Sequence, residues 1–197
     1  MSSPVTTDGR TVRRQTNRAR VVDAMLELVD ATGAEPTVEQ VVERSGVSER
    51  SIFRYFEGLD DLRRAVLQRN FERLEPLLVV DDIGHGTLGD RAERFVATRA
   101  RVCEAMAGVA RLGRRNAQSQ PVIATEMVRL RRLLEKQVRT HFRPELAART
   151  GAEADDAGVV IDVLFSTAAW DQLTIQHGRS PAQIRRAWTR ALLALLA

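Results

Sequence analysis

The sequence has little of what metal centres and disulfide frameworks require. Cys103 is the only cysteine, so the chain can form neither an internal disulfide nor a thiolate cluster. The three histidines, His85, His141 and His177, stand in no zinc-binding spacing such as HExxH. We therefore expect no metal, no cofactor and no catalytic residue, and hence no enzyme.

Long hydrophobic runs are also missing. Uninterrupted apolar stretches such as Leu77 to Val80 fall far short of the roughly 18 residues that cross a bilayer. The first 20 residues are charged and lack the apolar region of a secretory signal. These absences predict a cytoplasmic protein with no membrane partner.

Strand signals are equally scarce. Aromatic residues make up only 5% of the chain, whereas alanine, leucine, arginine and glutamate recur at a spacing of three to four residues. That composition and period favour an all-α fold. A first apolar stripe, ended by Gly33, contains Val22, Met25, Leu26 and Val29. Longer helices are predicted over residues 90–113, 120–143, 155–177 and 181–196.

Segment 37–56 has the pattern of a helix-turn-helix. Thr37 and Gln40 form a capping box that begins one short helix, Gly46 marks a tight turn, and Ser48 can cap the next helix. On that second helix Ile52 and Phe56 point one way. The residues left polar are Glu49, Arg50, Ser51 and Arg54. A narrow polar helix face of this kind fits the major groove of DNA.

Five arginines precede this segment within eleven residues that contain no acid: Arg10, Arg13, Arg14, Arg18 and Arg20. We predict a disordered basic arm over residues 1–15 that binds phosphates, with Arg14 as a DNA contact. Two short helices about a glycine also occur in ordinary helical proteins. The adjacent arm favours DNA binding over that alternative.

Further residues extend the pattern over about 50 positions: Pro36-Thr37-Val38, Arg44-Ser45-Gly46-Val47-Ser48, Ile52-Phe53-Arg54-Tyr55-Phe56 and Leu62. With these residues the chain resembles the TetR family of bacterial transcriptional regulators. The resemblance implies an N-terminal three-helix DNA-binding domain and a C-terminal helical bundle. It also implies a homodimer that binds palindromic, double-stranded operator DNA, usually as a repressor, and releases it when a small-molecule effector enters the C-terminal domain.

The same resemblance assigns the DNA contacts. It implies that Glu49, Arg50, Ser51 and Arg54 face base edges, that Phe53 and Tyr55 contact backbone or thymine methyl groups, and that Thr37 contacts phosphate. Ser48, at the start of the same helix, completes the predicted set. One position departs from the family, which often has a phosphate-binding lysine where this chain has Leu59.

The C-terminal part contains a candidate effector site. Phe95 and Met106 lie on one face of the helix predicted over 90–113, and Arg99 falls near the middle of that stripe. A guanidinium on a buried face needs an anion, because it cannot lose its charge. The anion is either an internal partner, Asp171, or a ligand. In the second case the predicted ligand-binding residues are Phe95, Arg99, Met106, Met127, Phe165 and Trp170.

Three regions follow from this reading: a DNA-binding domain over 1–75, a hinge over 76–89, and a ligand-binding and dimerisation domain over 90–197. The helices over 155–177 and 181–196 are expected to pair with those of a second subunit. The reason is that the last helix is apolar on two sides, with Leu193 and Leu196 on the second edge.

Two other functions stay open. Residues 84–89 spell GxGxxG after a possible strand, which would suit a helical enzyme that uses a nucleotide. The chain could also be a helical interaction module whose basic arm binds an acidic protein.

Overall fold

A computed structural model describes residues 9–116 and 121–197, and every regular element within them is helical. The α-helices are α1 Gly9–Thr32, α2 Val38–Ser45, α3 Glu49–Tyr55, α4 Leu59–Leu74, α5 Leu88–Asn116, α6 Pro121–His141, α7 Arg143–Ala147, α8 Gly151–Leu164, α9 Thr167–Asp171 and α10 Pro181–Leu196. A 3₁₀ turn, Glu75–Leu78, follows α4. The chain divides into two compact units, the first ending at Glu72 and the second beginning at Arg73. The all-α prediction is confirmed.

The first unit packs α1 to α4 around one apolar core. Its buried side chains include Val21, Val22, Met25, Leu26 and Val29 of α1, with Val41, Ile52, Phe56, Leu62 and Val66 from the helices around it. The sequence predicted a disordered arm over residues 1–15, but helix α1 begins at Gly9, so residues 9–15 are helical. No proline or glycine interrupts the chain between Arg10 and Val22, and arginine and glutamine are good helix formers. Residues 1–8 of the predicted arm lie outside the described residues.

The second unit is organised around a ladder of aromatic rings. Phe142 packs edge-on against Phe95 with ring centroids 5.2 Å apart, and Phe95 packs against Phe165 at 5.3 Å. Trp188 lies 4.9 Å from Phe165 and 5.5 Å from Trp170. Edge-to-face ring pairs add to the stability that burial alone provides. The core around this ladder also takes in buried side chains of α5, α6, α7, α8, α9 and α10.

The helix predicted over 155–177 is broken, which corrects that prediction. Helix α8 ends at Leu164, and Ser166 adopts an extended backbone that caps α9 by accepting a hydrogen bond from the amide of Ala169 at 3.1 Å. A π-helical segment, Gln172–Gln176, continues from α9. Within the described part of the chain no single helix is long and apolar enough to cross a membrane. The two pieces on either side of this break, Gly151–Leu164 and Thr167–Gln176, meet that length and composition only together, bent by 43°.

The glycine-containing segment before α5 belongs to the second unit. Leu77 and Leu78 lie in the 3₁₀ turn rather than in a strand, so the strand that a dinucleotide-binding loop follows is missing at this point. Gly84 has a φ of +82°, and its amide donates to Nδ1 of the fully buried His141 at 3.0 Å. The segment is therefore fastened to α6.

The second apolar edge of α10, predicted to face another subunit, packs largely within its own unit. Leu196 is buried in the aromatic core, and Leu193 packs partly buried against it. Leu196 is therefore covered by its own unit, contrary to the expectation from sequence, whereas Leu193 keeps part of its surface exposed. The exposed alanines of α10 are Ala182, Ala187, Ala191 and Ala194.

Candidate nucleic-acid interface

The capping box at the start of α2 is present as predicted. The Thr37 hydroxyl accepts from the amide of Gln40 at 3.3 Å, and the Gln40 side chain accepts from the amide of Thr37 at 2.9 Å. Thr37 is exposed at a helix N-terminus, where free backbone donors favour an anion such as phosphate.

Gly46 makes the turn between α2 and α3. Its φ is +65°, and its amide donates to the carbonyl of Val42 at 2.9 Å, which closes α2. A Cβ at this position would lie 3.0 Å from Nη2 of Arg20. Both the left-handed backbone and the nearby guanidinium therefore favour glycine.

Helix α3 places its polar face in solvent because Ile52 and Tyr55 anchor its other side. Glu49, Arg50, Phe53 and Arg54 are all exposed, and Phe53 retains 54% of its accessible surface. Ser48 occupies the N-cap position but makes no side-chain cap; its hydroxyl donates instead to that of Ser51 at 3.1 Å. The structure thus brings most of the predicted DNA contacts onto one surface.

Tyr55 is the exception, since only 8% of its surface is exposed. Its hydroxyl accepts from the side-chain amide of Asn17 at 3.3 Å, and this hydrogen bond lowers the pKa of Tyr55 below its usual value. Tyr55 therefore fixes α3 against α1. Sequence reasoning missed Asn17, although it stands one helical turn before the buried Val21.

The predicted basic arm divides by function. Arg14 is exposed, whereas Arg18 stacks 4.6 Å above the Phe56 ring and lies 3.6 Å from Asp61. Leu59 stands half exposed at the start of α4, where a lysine would have offered a donor to phosphate.

The predicted ligand residues do not all meet. Phe95, Phe165 and Trp170 share the aromatic ladder of the second unit. Met106 belongs to a separate buried cluster with Leu74, Val102 and Ala110. Met127 is 39% exposed on α6. A single pocket formed by all six residues is therefore not present.

The internal partner predicted for Arg99 is wrong. Asp171 binds Arg111 at 3.1 Å and also binds Arg114. Because the break at Ser166 resets the helix, Asp171 faces the C-terminal half of α5 rather than the turn that contains Arg99.

Arg99 is only 4% exposed and has no carboxylate partner among the described residues. Its Nη2 donates to the carbonyl of Leu134 at 2.8 Å, and its guanidinium lies 4.8 Å from the Phe95 ring centroid. Burial lowers the pKa of Arg99 to about 10, so the side chain is still charged at neutral pH.

Cys103 follows Arg99 by one helical turn and is buried. Its thiol lies 3.9 Å from the carbonyl oxygen of Phe165. Burial raises the pKa of Cys103 to about 12, so the unreactive protonated form predominates.

An open groove of about 470 Å³ lies elsewhere on the second unit, between α5 and α10. It is lined by Glu93, Val96, Ala97, Arg185, Arg186, Thr189 and Arg190, and none of the predicted ligand residues is among them.

Comparison with known proteins agrees with this architecture. Residues 21–66 match the family model described as bacterial regulatory proteins, tetR family. Nine solved chains match the structure, among them a tetR-family transcriptional regulator from Streptomyces coelicolor with a TM-score of 0.72. That match has 17% sequence identity and covers 92% of this chain and 80% of the other, which establishes a shared fold. No curated protein sequence matches the chain significantly.

Proposed function

We propose that the chain is a homodimeric repressor of the TetR family whose two α3 helices read a palindromic operator, since residues 21–66 match that family's model and the fold matches one of its regulators. A small molecule that binds the second unit releases it from DNA. The observation that carries the DNA-binding part is the exposed face of α3, on which Glu49, Arg50, Phe53 and Arg54 all point into solvent.

Arg50 and Arg54 support this assignment most directly. They stand four residues apart, so they project from the same side of α3, and both are exposed. Arginine commonly binds the O6 and N7 atoms of guanine through two hydrogen bonds. Phe53 between them offers an apolar contact to a thymine methyl group.

Selection of a binding sequence from random DNA tests the proposal. Replacing Arg50 or Arg54 by alanine is expected to weaken operator binding by about 1–3 kcal/mol while binding to random DNA changes less. Equal losses on both DNAs would make these residues phosphate contacts and would contradict the assignment.

Dimerisation through α8 and α10 is supported by apolar surface that the unit does not cover. Val159, Val160 and Val163 are each about half exposed or more on α8. The exposed alanines Ala187, Ala191 and Ala194 are spaced three to four residues apart, so they lie on one side of α10 and leave room for close helix packing. Val163→Asp is expected to produce monomers in sedimentation, whereas Val128→Asp, at an exposed valine of α6, is the matched control and should leave the dimer intact. Loss of the dimer in both variants, or in neither, would contradict this interface.

The effector is proposed to bind near Arg99 and the aromatic ladder. A ligand alters DNA binding only if it binds the DNA-incompetent state more tightly, typically by about 1–3 kcal/mol. The support for this location is the buried charge of Arg99, which the described residues leave without an anion.

A further inference from the structure

Two enclosed donor atoms distinguish the interior of the second unit. Nη1 of Arg99 and Nε1 of Trp188 are buried, and neither hydrogen bonds to any described residue. Three other enclosed atoms share this property, on Arg94, Glu126 and Glu145, but the charge of each of those side chains is opposed by a neighbour: Arg94 lies near Asp90, and the two glutamates pair with Arg129 and Arg91. Buried donors without an acceptor are rare because each forfeits its hydration.

No carboxylate of the described residues binds the Arg99 guanidinium directly. Asp162 is occupied by Arg131, whose Nε donates to it at 2.8 Å, and Asp171 binds two other arginines. The one acceptor that Arg99 does have, the Leu134 carbonyl, is uncharged. A buried cation is normally paired directly, whereas Asp162, the carboxylate whose charge raises the pKa of Arg99, is already bonded to Arg131.

Aromatic rings connect the two donors. The Arg99 guanidinium lies over Phe95, Phe95 contacts Phe165, and Phe165 contacts Trp188. The side chains that separate the two donors are therefore apolar aromatic rings. A molecule with an apolar body and acceptor oxygens has the chemistry that this arrangement lacks.

Phe165 is the ring of the ladder that stands at the break between α8 and α9. It lies between α8 and α9, with φ −101° and ψ 22°, so its displacement does not require a continuous helix to bend. The π-helical segment Gln172–Gln176 begins directly after α9, six residues beyond Ser166. Such segments are frequent at functional sites.

We propose that the effector is an apolar organic carboxylate that binds Arg99 through its carboxylate and displaces the Phe165 ring. Trp188 donates to a second acceptor on the same molecule. This inference rests on the proposed function, in which a small molecule controls DNA binding.

The test uses the full-length protein and matched pairs of probes: benzoate, phenylacetate, 1-naphthoate and octanoate, each with its primary amide. Calorimetry and thermal shift are expected to show that at least one acid binds, and that its amide binds about 10- to 100-fold more weakly, as for the loss of a hydrogen bond to a charged group. Arg99→Met should lose a similar factor. Trp188→Phe, which removes only the N–H, should lose about 2- to 10-fold for a probe with a second acceptor, such as 4-acetylbenzoate, and should bind the four simple acids as the unaltered protein does.

Arg101→Met is the control, because Arg101 is exposed on the same helix and bonds only Thr98; its affinity should match that of the unaltered protein. Without any probe, Arg99→Met should melt at the same temperature or higher, because it removes an unneutralised buried charge. A lower melting temperature with unchanged carboxylate binding would make Arg99 structural and overturn the inference. The acid and amide comparison stands on the unaltered protein even if that variant does not fold.

Failure of every acid to raise the melting temperature at millimolar concentration would also overturn it. A gel shift with the selected operator separates this failure from that of the proposed function. Protein that binds the operator but no carboxylate refutes only the ligand class, and protein that binds no DNA refutes the regulator itself. Carboxylate binding that leaves operator affinity unchanged refutes the effector role.

Discussion

His141 is expected to make the second unit sensitive to acid. Its ring is fully buried, and its Nδ1 accepts from Gly84 while its Nε2 lies 2.9 Å from the carbonyl of Arg91. Only the neutral ring protonated at Nε2 satisfies both neighbours. A second proton on Nδ1 would face the amide of Gly84, donor against donor.

The pH dependence follows from the direction of the pKa. Burial lowers the pKa of His141 below its usual value of 6.5, and the nearby Arg94 and Arg91 act in the same direction, while a hydrogen bond to Arg91 and the charge of Glu145 oppose it. The unfolded chain therefore binds this proton at a higher pH than the folded chain does. The free energy of unfolding is full above pH 6.5 and falls as the pH drops from 6.5 to the lowered value, by up to about 1.4 kcal/mol per pH unit.

His141→Phe removes this behaviour. At pH 8 the variant should be less stable by about 1–3 kcal/mol, because two hydrogen bonds are lost while the ring remains. Below pH 6.5 the difference should shrink, since the phenyl ring cannot take up a proton. Urea unfolding followed by tryptophan fluorescence measures this unit specifically, because Trp170 and Trp188 both lie in it.

His177→Asn is the control, since His177 is exposed in the same unit. This variant should keep the same dependence of the unfolding free energy on pH as the unaltered protein. A slope that persists in His141→Phe, or that is absent from the unaltered protein, would refute the assignment of the buried neutral ring.

Three further predictions concern the turn, the arm and the buried acid. Gly46→Ala should lower the free energy of unfolding by about 1 kcal/mol in urea titrations, because alanine is strained at positive φ, and Gly151→Ala, at an exposed helix start with open space, should not; equal effects would contradict this. Replacing both Arg13 and Arg14 by alanine should reduce the salt slope of log K for DNA by up to about 0.9 per lost phosphate contact while sequence preference persists, and an unchanged slope would remove them from the interface. Asp171→Asn should cost about 1–3 kcal/mol of unfolding free energy, against about 0–1 for Asp162→Asn, whose partner Arg131 is largely exposed; a larger loss at Asp162 would contradict the ranking.

Local patterns were readable from sequence, and distant pairings were not. Thr37 and Gln40 stand three residues apart, so their capping box depends only on the local chain. Gly46 is likewise determined locally, because its own backbone has a positive φ. Asn17 and Tyr55 are separated by 38 positions, and their contact depends on how two helices pack.

The break at Ser166 shows the same limit. The apolar stripe of Val160, Leu164 and Thr167 continues in helical register across it, so periodicity alone predicts one helix. The gain from the Ser166 cap and from packing Trp170 into the core outweighs that continuity. Asp171 then faces a different part of α5, which no local rule could reveal.

The burial of Cys103 makes its alkylation a measure of how readily the core opens. With a protonated thiol behind the Phe165 carbonyl, an alkylating reagent can react only in molecules whose core has opened. As no other cysteine competes for the reagent, the mass added per unit time reports how readily the core opens, without any engineered label. A ligand bound beside Arg99, one turn away on the same helix, would slow the alkylation of Cys103.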